Sequence, residues 1–175
     1  MRNLPLSIVM LSLATAGCAS LDQVPDTRLG EAKLVLANGL PAGRAILTAA
    51  GDQVSLSVAA TGISAGGHGM HLHATGKCEA PAFTSAGAHL NPAGHQHGTE
   101  NPKGSHLGDL PNLVADQNGV AALTVKLPAS RTEAEAALFD GDGTAIVIHA
   151  TADDYRTDPT GNSGARIACG VLTRG

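Results

Sequence analysis

The sequence predicts an all-β protein, a sandwich or flattened barrel built from short antiparallel strands. In several segments apolar residues alternate with polar or small residues at period two, which is typical of half-buried strands. Glycine-containing turns separate these segments, and no region keeps the 3.6-residue period of a long helix. The 22 glycines and 9 prolines favour many turns, and the low aromatic content of 2% predicts an aliphatic core.

Five segments carry the strand pattern. The dipeptides Asn38-Gly39 and Gly51-Asp52 fall at the turns between the first three segments. The last segment, TAIVIHA, is a nearly continuous apolar run that ends in His149. Residues 131–138, rich in Ala and Glu, predict at most one or two helical turns. The predicted strands cover residues 32–37, 43–49, 53–60, 119–127 and 144–150.

The first 17 residues are typical of a signal peptide. A basic Arg2 precedes an apolar run that is too short to span a membrane. Cleavage after Ala16 would fit an A-x-A site, whereas Ala16-Gly17-Cys18 resembles the lipobox of bacterial lipoproteins, in which Cys18 is acylated. We favour the lipid anchor at Cys18, because a secreted chain would otherwise carry an unpaired third cysteine. The chain is therefore expected in the periplasm or cell envelope.

The rest of the chain is long enough for one domain. We expect a polar tether over residues 18–30 and a single domain over residues 31–175. The formal net charge of −4 gives no sign of a nucleic-acid partner. Signal-peptide removal would take away Arg2 and no acidic residue, which makes the mature chain more negative.

The other two cysteines, Cys78 and Cys169, are expected to form a disulfide, because paired cysteines of exported proteins are usually oxidised. Two stretches lack a strand pattern, residues 78–109 and residues 151–165. Loops of this length within a compact domain are usually functional or disordered. The first stretch contains four histidines, which suggests that a bound ion organises it.

The histidines have the spacing of metal ligands. His71 and His73 are two residues apart, so on a strand their side chains project from the same face. His89, His97, His106 and Asp109 would make a complete tetrahedral set for structural zinc. An all-imidazole site suits copper, for which His71 and His73 would be joined by His149 and by one ligand shared with the zinc set.

Five ordered motifs resemble the copper-zinc superoxide dismutase family, in particular its bacterial exported branch. They are GGHGMHLH (66–73), SAGAHLNP (85–92), HLGDLPNL (106–113), IVIHATADDY (146–155) and GNSGARIACGVL (161–172). The resemblance implies an eight-stranded Greek-key sandwich with two long functional loops, one that binds metal and carries the disulfide and one that guides the substrate electrostatically. It also implies copper and zinc as cofactors.

The resemblance assigns a role to each matching residue. It implies a disulfide between Cys78 and Cys169, a substrate-guiding Arg166, and an Asp153 carboxylate that orients His71 and His97. The implied copper ligands are His71, His73, His89 and His149. The implied zinc ligands are His89, His97, His106 and Asp109, with His89 bridging both ions and taking part in catalysis.

Two histidines have no ligand role in this assignment. His68 matches a structural position of the family, whereas His95 is either a solvated loop residue or a secondary metal-capturing group. The implied activity is disproportionation of superoxide to dioxygen and hydrogen peroxide by copper redox cycling. The alternative is an exported copper- and zinc-binding protein on the same scaffold without this activity. A monomer and a homodimer both remain open.

Overall fold

A computed structural model describes residues 26–175, in which β-strands are the main regular structure. The predicted signal peptide, Cys18 and residues 18–25 of the predicted tether lie outside this range. Among these residues one short α-helix, α1 (Arg131–Leu138), and one 3-10 turn (Thr84–Ala86) interrupt the strands. The strands are β1 (Thr27–Leu36), β2 (Pro41–Ala50), β3 (Gln53–Thr61), β4 (Gly66–His68), β5 (Met70–His73), β6 (Leu113–Ala115), β7 (Val120–Ser130), β8 (Ala145–His149), β9 (Arg166–Val171) and β10 (Thr173–Arg174).

Eight of these strands form one curled antiparallel sheet, which confirms the predicted fold class. Its order is β5-β8-β9-β1-β2-β3-β7, and β10 also pairs with β1. Strands β4 and β6 make a separate two-stranded sheet. Because β3 pairs with β7 and β1 pairs with β9, the sheet joins segments that are far apart in sequence.

The end of the predicted tether belongs to the sheet. Strand β1 begins at Thr27, so the last four residues assigned to the tether are strand residues. Thr27 lies opposite Ala49 of β2, and Gly30 lies opposite Arg174 of β10. These long-range pairings override the polar composition of the segment, because backbone hydrogen bonds to two neighbours do not depend on an apolar pattern.

The main core is aliphatic, as the composition predicts. Leu47 of β2 faces Leu56 of β3, and Ala45 faces Val58, so the inward residues of neighbouring strands meet directly. Burial of each large aliphatic side chain stabilises the fold by about 1.5 to 3 kcal/mol. Helix α1 begins with a capping box, in which Ser130 and Glu133 satisfy each other's backbone N–H groups, and it ends after two turns.

Strands β5 and β8 carry one apolar face and one functional face. Ile146 and Ile148 of β8 pack in the main core together with Met70 and Leu72 of β5. Alternation therefore turns His71, His73 and His149 to the opposite face. The pairing of His71 with Val147 aligns the two strands on that face.

The two long loops cover the functional face. The first is held by a disulfide between Cys78 and Cys169, whose Cα atoms are 5.7 Å apart, which confirms the predicted pairing. The second loop, residues 151–165, is bonded to the first through the Glu100 N–H, which donates to the Tyr155 carbonyl at 3.0 Å. Within residues 26–175 no helix has the length and apolarity needed to cross a membrane.

Candidate metal centre

Four histidines from three segments converge on one point of the functional face. His71 and His73 come from β5, His149 ends β8, and His89 comes from the first loop. One nitrogen of each ring lies within 4.8 Å of those of the others, and all four side chains are buried. Backbone pairing of His73 with His89 brings the loop histidine beside the strand.

One nitrogen of each ring has a hydrogen-bonding partner that fixes its orientation. His73 Nδ1 donates to the Gly87 carbonyl at 2.9 Å, and His149 Nδ1 donates to the Gly164 carbonyl at 3.1 Å. His71 Nε2 lies 2.6 Å from Asp153 Oδ2, and His89 Nδ1 lies 3.0 Å from Asp109 Oδ1. Because a carbonyl can only accept, the neutral rings of His73 and His149 keep a lone pair on Nε2.

The other nitrogen of each ring is buried without a hydrogen-bond partner among the described residues. These atoms are His71 Nδ1 and the Nε2 atoms of His73, His89 and His149. An unpaired buried polar atom costs about 1 to 3 kcal/mol, so four at one point require an explanation. A cation bound between them provides one. A set of four imidazoles suits copper, so the rings of His71, His73, His89 and His149 are called the copper-type set.

A second set of donors, called the zinc-type set, lies on the other side of His89. It consists of His89, His97, His106 and Asp109. The Nδ1 atoms of His89, His97 and His106 are 3.0, 2.9 and 3.1 Å from Asp109 Oδ1. Donors bound tetrahedrally to zinc at about 2.0 Å are about 3.3 Å apart, so the observed spacing is slightly tighter than that of an occupied site. Asp109 Oδ2 accepts the N–H groups of Gly98 and His106, each at 2.9 Å, which fixes the carboxylate.

His71 is near both sets of donors. One of its nitrogens also lies within 4.8 Å of donor atoms of His89, His97 and Asp109. Its Nε2 is engaged by Asp153, and its free Nδ1 belongs with the copper-type set. His106 completes the zinc-type set through its contact with Asp109.

Asp153 connects the two sets of donors. Its two oxygens contact different rings, Oδ2 that of His71 at 2.6 Å and Oδ1 the Nε2 of His97 at 3.0 Å. Asn112 holds the backbone of Asp153 through two bonds, accepting from its N–H at 2.8 Å and donating to its carbonyl at 3.0 Å. The sequence did not single out Asn112, although it lies within one of the matching motifs.

Burial and neighbouring charges set the protonation of the rings. Burial lowers the pKa of His73 to about 2 and those of His89 and His149 to about 4. These rings are therefore neutral at pH 7, as metal ligands must be. Burial also opposes the charge of His97, but the hydrogen bonds that its ring donates to Asp109 and Asp153 raise its pKa to about 9.

Both carboxylates stay ionised in this environment. Burial acts to raise the pKa of Asp109 and of Asp153, and hydrogen bonds from the surrounding imidazoles and backbone N–H groups outweigh it. The pKa values of both groups are therefore held well below the usual range. Two negative charges remain beside the zinc-type set, where they favour a divalent cation.

Arg166 lies at the first residue of β9, close to the copper-type set. Its guanidinium donates to the carbonyls of Phe83 and Gly87, each at 2.7 Å. The Gly87 carbonyl therefore accepts from both Arg166 and His73. Partial burial lowers the pKa of Arg166, and its charge contributes to the low pKa of His73 and His149. The role of Phe83 and Gly87 carbonyls had no signal in the sequence, because carbonyl contacts depend on the loop path.

The two remaining histidines differ in environment. His68 is buried, with Nδ1 2.7 Å from the His149 carbonyl and Nε2 2.9 Å from the Ser64 carbonyl. His68 therefore helps to hold the backbone of His149, a proposed copper ligand, in place. His95 is exposed on the first loop, and it belongs to neither set of donors.

Comparisons with known proteins agree with this geometry. Residues 42–172 match the family model described as copper/zinc superoxide dismutase. A copper-zinc superoxide dismutase of Aquifex aeolicus is 40% identical over 144 residues, which are 81% of this chain and 84% of that protein. A superoxide dismutase-like protein of Bacillus subtilis is 34% identical over 98% of this chain and 96% of its own length.

The solved structures agree as well. The crystal structure of a superoxide dismutase-like protein from Bacillus subtilis matches with a TM-score of 0.78 and 35% identity, over 84% of this chain and 100% of that one. Sequence family, fold and buried histidine clusters thus indicate the same class of oxidoreductase, with copper and zinc as cofactors. The chain belongs to the copper/zinc superoxide dismutase family.

Proposed function

We propose that this protein disproportionates superoxide to dioxygen and hydrogen peroxide. The proposal assigns copper to His71, His73, His89 and His149, and zinc to His89, His97, His106 and Asp109. The observation that carries it is the position of His89, whose unpaired Nε2 belongs to one set of donors while its Nδ1 belongs to the other. Bound copper would supply one-electron chemistry, oxidising one superoxide and reducing the next.

His89 is placed to manage a proton in this reaction. Its Nδ1 faces Asp109 and the zinc-type set, so only Nε2 is left for exchange. Nε2 can hold a proton in one half of the cycle and deliver it to the reduced product in the other. The ring lies between the two sets of donors, so a proton held on Nε2 is next to the proposed copper ligands where the product forms.

Arg166 is proposed to attract and orient the anion. The chain carries a formal net charge of −4, so superoxide needs a local positive field to approach the site. Two carbonyls hold the guanidinium in place, whereas the exposed Arg156 is already paired with Glu100. Arg166 is therefore the better candidate for the cation that substrate meets beside the copper ligands.

One alternative function is favoured by a specific observation. A relative that aligns over 98% of this chain is named as superoxide dismutase-like. This favours a copper- and zinc-binding protein without dismutase activity as the second candidate. Both candidates share the fold and the metal ligands, and they differ only in turnover.

The test is metal analysis combined with a superoxide-consumption assay on the metal-loaded protein. We expect one copper and one zinc per chain and rapid consumption. Arg166→Ala should keep both metals and lose about tenfold or more of the rate, together with its dependence on ionic strength. Arg156→Ala removes the same charge from an exposed ion pair and should retain most of the rate.

The outcomes separate the candidates. Full metal loading without superoxide consumption would establish the binding protein and reject the enzyme. Full activity of Arg166→Ala would reject the guiding role alone.

We also propose that the mature chain is exported and held in the cell envelope by a lipid at Cys18. The support is the basic and apolar composition of residues 1–17 and the lipobox-like sequence before Cys18. Mass spectrometry of the mature N-terminus should find a diacylglyceryl-modified Cys18. A mature chain that begins at Gly17 would reject the anchor in favour of cleavage after Ala16.

A further inference from the structure

A groove outside the proposed copper site lies between the first loop and helix α1. Its volume is about 850 Å³, and its polar residues include His95, His106, Glu133 and Asp140. Most of its remaining lining is apolar, and it contains none of the proposed copper ligands. The groove therefore borders the zinc-type set alone.

His106 is the proposed zinc ligand through which this groove reaches the site. Its side chain is 7% exposed, compared with 0%, 1% and 2% for His97, His89 and Asp109. It is also the only member of that set among the residues that line the groove. An ion that arrives through the groove therefore meets the His106 ring first among the zinc ligands.

His95 lies in the same groove with a nitrogen available for an ion. Its Nδ1 is 3.0 Å from the carbonyl of Ser105, the residue before His106. Because that carbonyl accepts a hydrogen bond from the Nδ1–H group, the neutral ring keeps a lone pair on Nε2. Asn91 fixes the backbone of His95 from both sides, accepting from its N–H at 3.0 Å and donating to its carbonyl at 2.8 Å.

The opposite wall of the groove favours a cation. Glu133 and Asp140 are exposed carboxylates there, and they give that wall a negative potential. The imidazole nitrogen of His95 is a ligand that zinc accepts, and the carboxylates add electrostatic attraction for the incoming ion.

We propose that zinc reaches its site through this groove, and that His95 binds the incoming ion before His106 receives it. The inference rests on the proposed zinc ligands of this chain and adds an entry route and a transient binding residue. His95 then acts on the rate of zinc uptake. It does not act on the final affinity, because it is absent from the completed site.

Zinc uptake by the metal-free, disulfide-bonded protein tests the route. The rate is followed by competition with a chromophoric zinc chelator at limiting zinc. His95→Gln should slow uptake about tenfold and leave the final content at one zinc per chain. Thr99→Ala, which trims another exposed side chain of the same loop outside the groove, should match the wild type.

A second pair of variants tests the groove itself. Ala136→Arg adds bulk and positive charge inside the groove, and it should slow zinc uptake. Thr132→Arg adds the same charge to an exposed position of the same helix that does not line the groove, and it should not slow uptake. The rate of copper uptake should be unchanged in all four variants.

The outcomes distinguish this inference from the proposed function. Stoichiometric zinc in the wild type with an unchanged rate in His95→Gln would overturn the role of His95. Stoichiometric zinc with an unchanged rate in Ala136→Arg would overturn the route through the groove. An equal slowing of copper and zinc uptake would also overturn it, because a general disturbance of the site would then explain the effect. A wild type that takes up no zinc would overturn the ligand assignment and the route together.

Discussion

Replacing Asp153 with Asn should weaken copper binding much more than zinc binding. In the folded protein Oδ1 accepts from two donors, the Tyr155 N–H at 2.6 Å and His97 Nε2 at 3.0 Å. Oδ2 accepts from one, His71 Nε2 at 2.6 Å. The single oxygen of an Asn side chain should keep the position with two donors, which turns its NH₂ group toward His71.

The magnitude follows from the bond that is lost. A hydrogen bond to a charged group contributes about 1.5 to 3 kcal/mol, and here it is replaced by two donors that face each other. Because about 1.4 kcal/mol is a factor of ten in binding, the affinity for copper should fall about 10-fold to 100-fold. Loss of a carboxylate that orients a metal-binding imidazole has effects of the same size. The His97 contact survives, so zinc affinity should change much less.

Competition titrations with copper and zinc chelators measure both affinities in the same protein. Asp142→Asn is the matched control, because it removes the same charge from an exposed side chain at a turn and should leave both affinities unchanged. An Asp153→Asn protein with wild-type copper affinity would refute the orienting role. A larger loss of zinc than of copper would refute the reasoning from the number of donors.

Three further predictions concern the same site. His149→Ala should lose copper and keep zinc, and metal analysis that finds intact copper would remove His149 from the copper ligands. Because burial lowers the pKa of His73 to about 2 and of His89 and His149 to about 4, the metal-free unfolded chain binds protons below pH 6.5 that the folded protein does not. Urea unfolding should therefore show a free energy of unfolding that falls by several kcal/mol from pH 6.5 to 4, at about 1.4 kcal/mol per pKa unit for each ring; a flat profile would contradict the neutral state of these rings. Cys78→Ser should lower the free energy of unfolding of the oxidised protein by about 4 kcal/mol, because the disulfide with Cys169 spans 91 residues, and a loss below 1 kcal/mol would contradict that loop-closure argument.

The sequence predicts the regular strands well and the short ones poorly. Period-two alternation predicts β2, β3 and β7 closely, because one face of each packs on the core. Strands β4, β6 and β10 have two or three residues each, too few to show a period. Strand β9, the segment RIACGV, has no period-two pattern that would predict a strand. Its residues pack partly in the main core and partly in a second apolar cluster that contains Cys169.

The site shows the same division. Motifs fix which side chains are candidates, since an imidazole or a carboxylate at a given position is visible in the sequence. The contacts that orient them depend on loop paths, as with the Gly87 carbonyl, which accepts hydrogen bonds from His73 and Arg166. The hydrogen bond between Asn112 and the backbone of Asp153 joins residues that are 41 positions apart, and no local sequence pattern predicts this contact.

The most direct test of the account is anomalous diffraction from crystals of the metal-loaded protein, measured at the copper and zinc absorption edges. Two ions should then lie on opposite nitrogens of the His89 ring, copper at Nε2 and zinc at Nδ1. A His89 ring that contacts only one ion, or copper and zinc in each other's place, would contradict it.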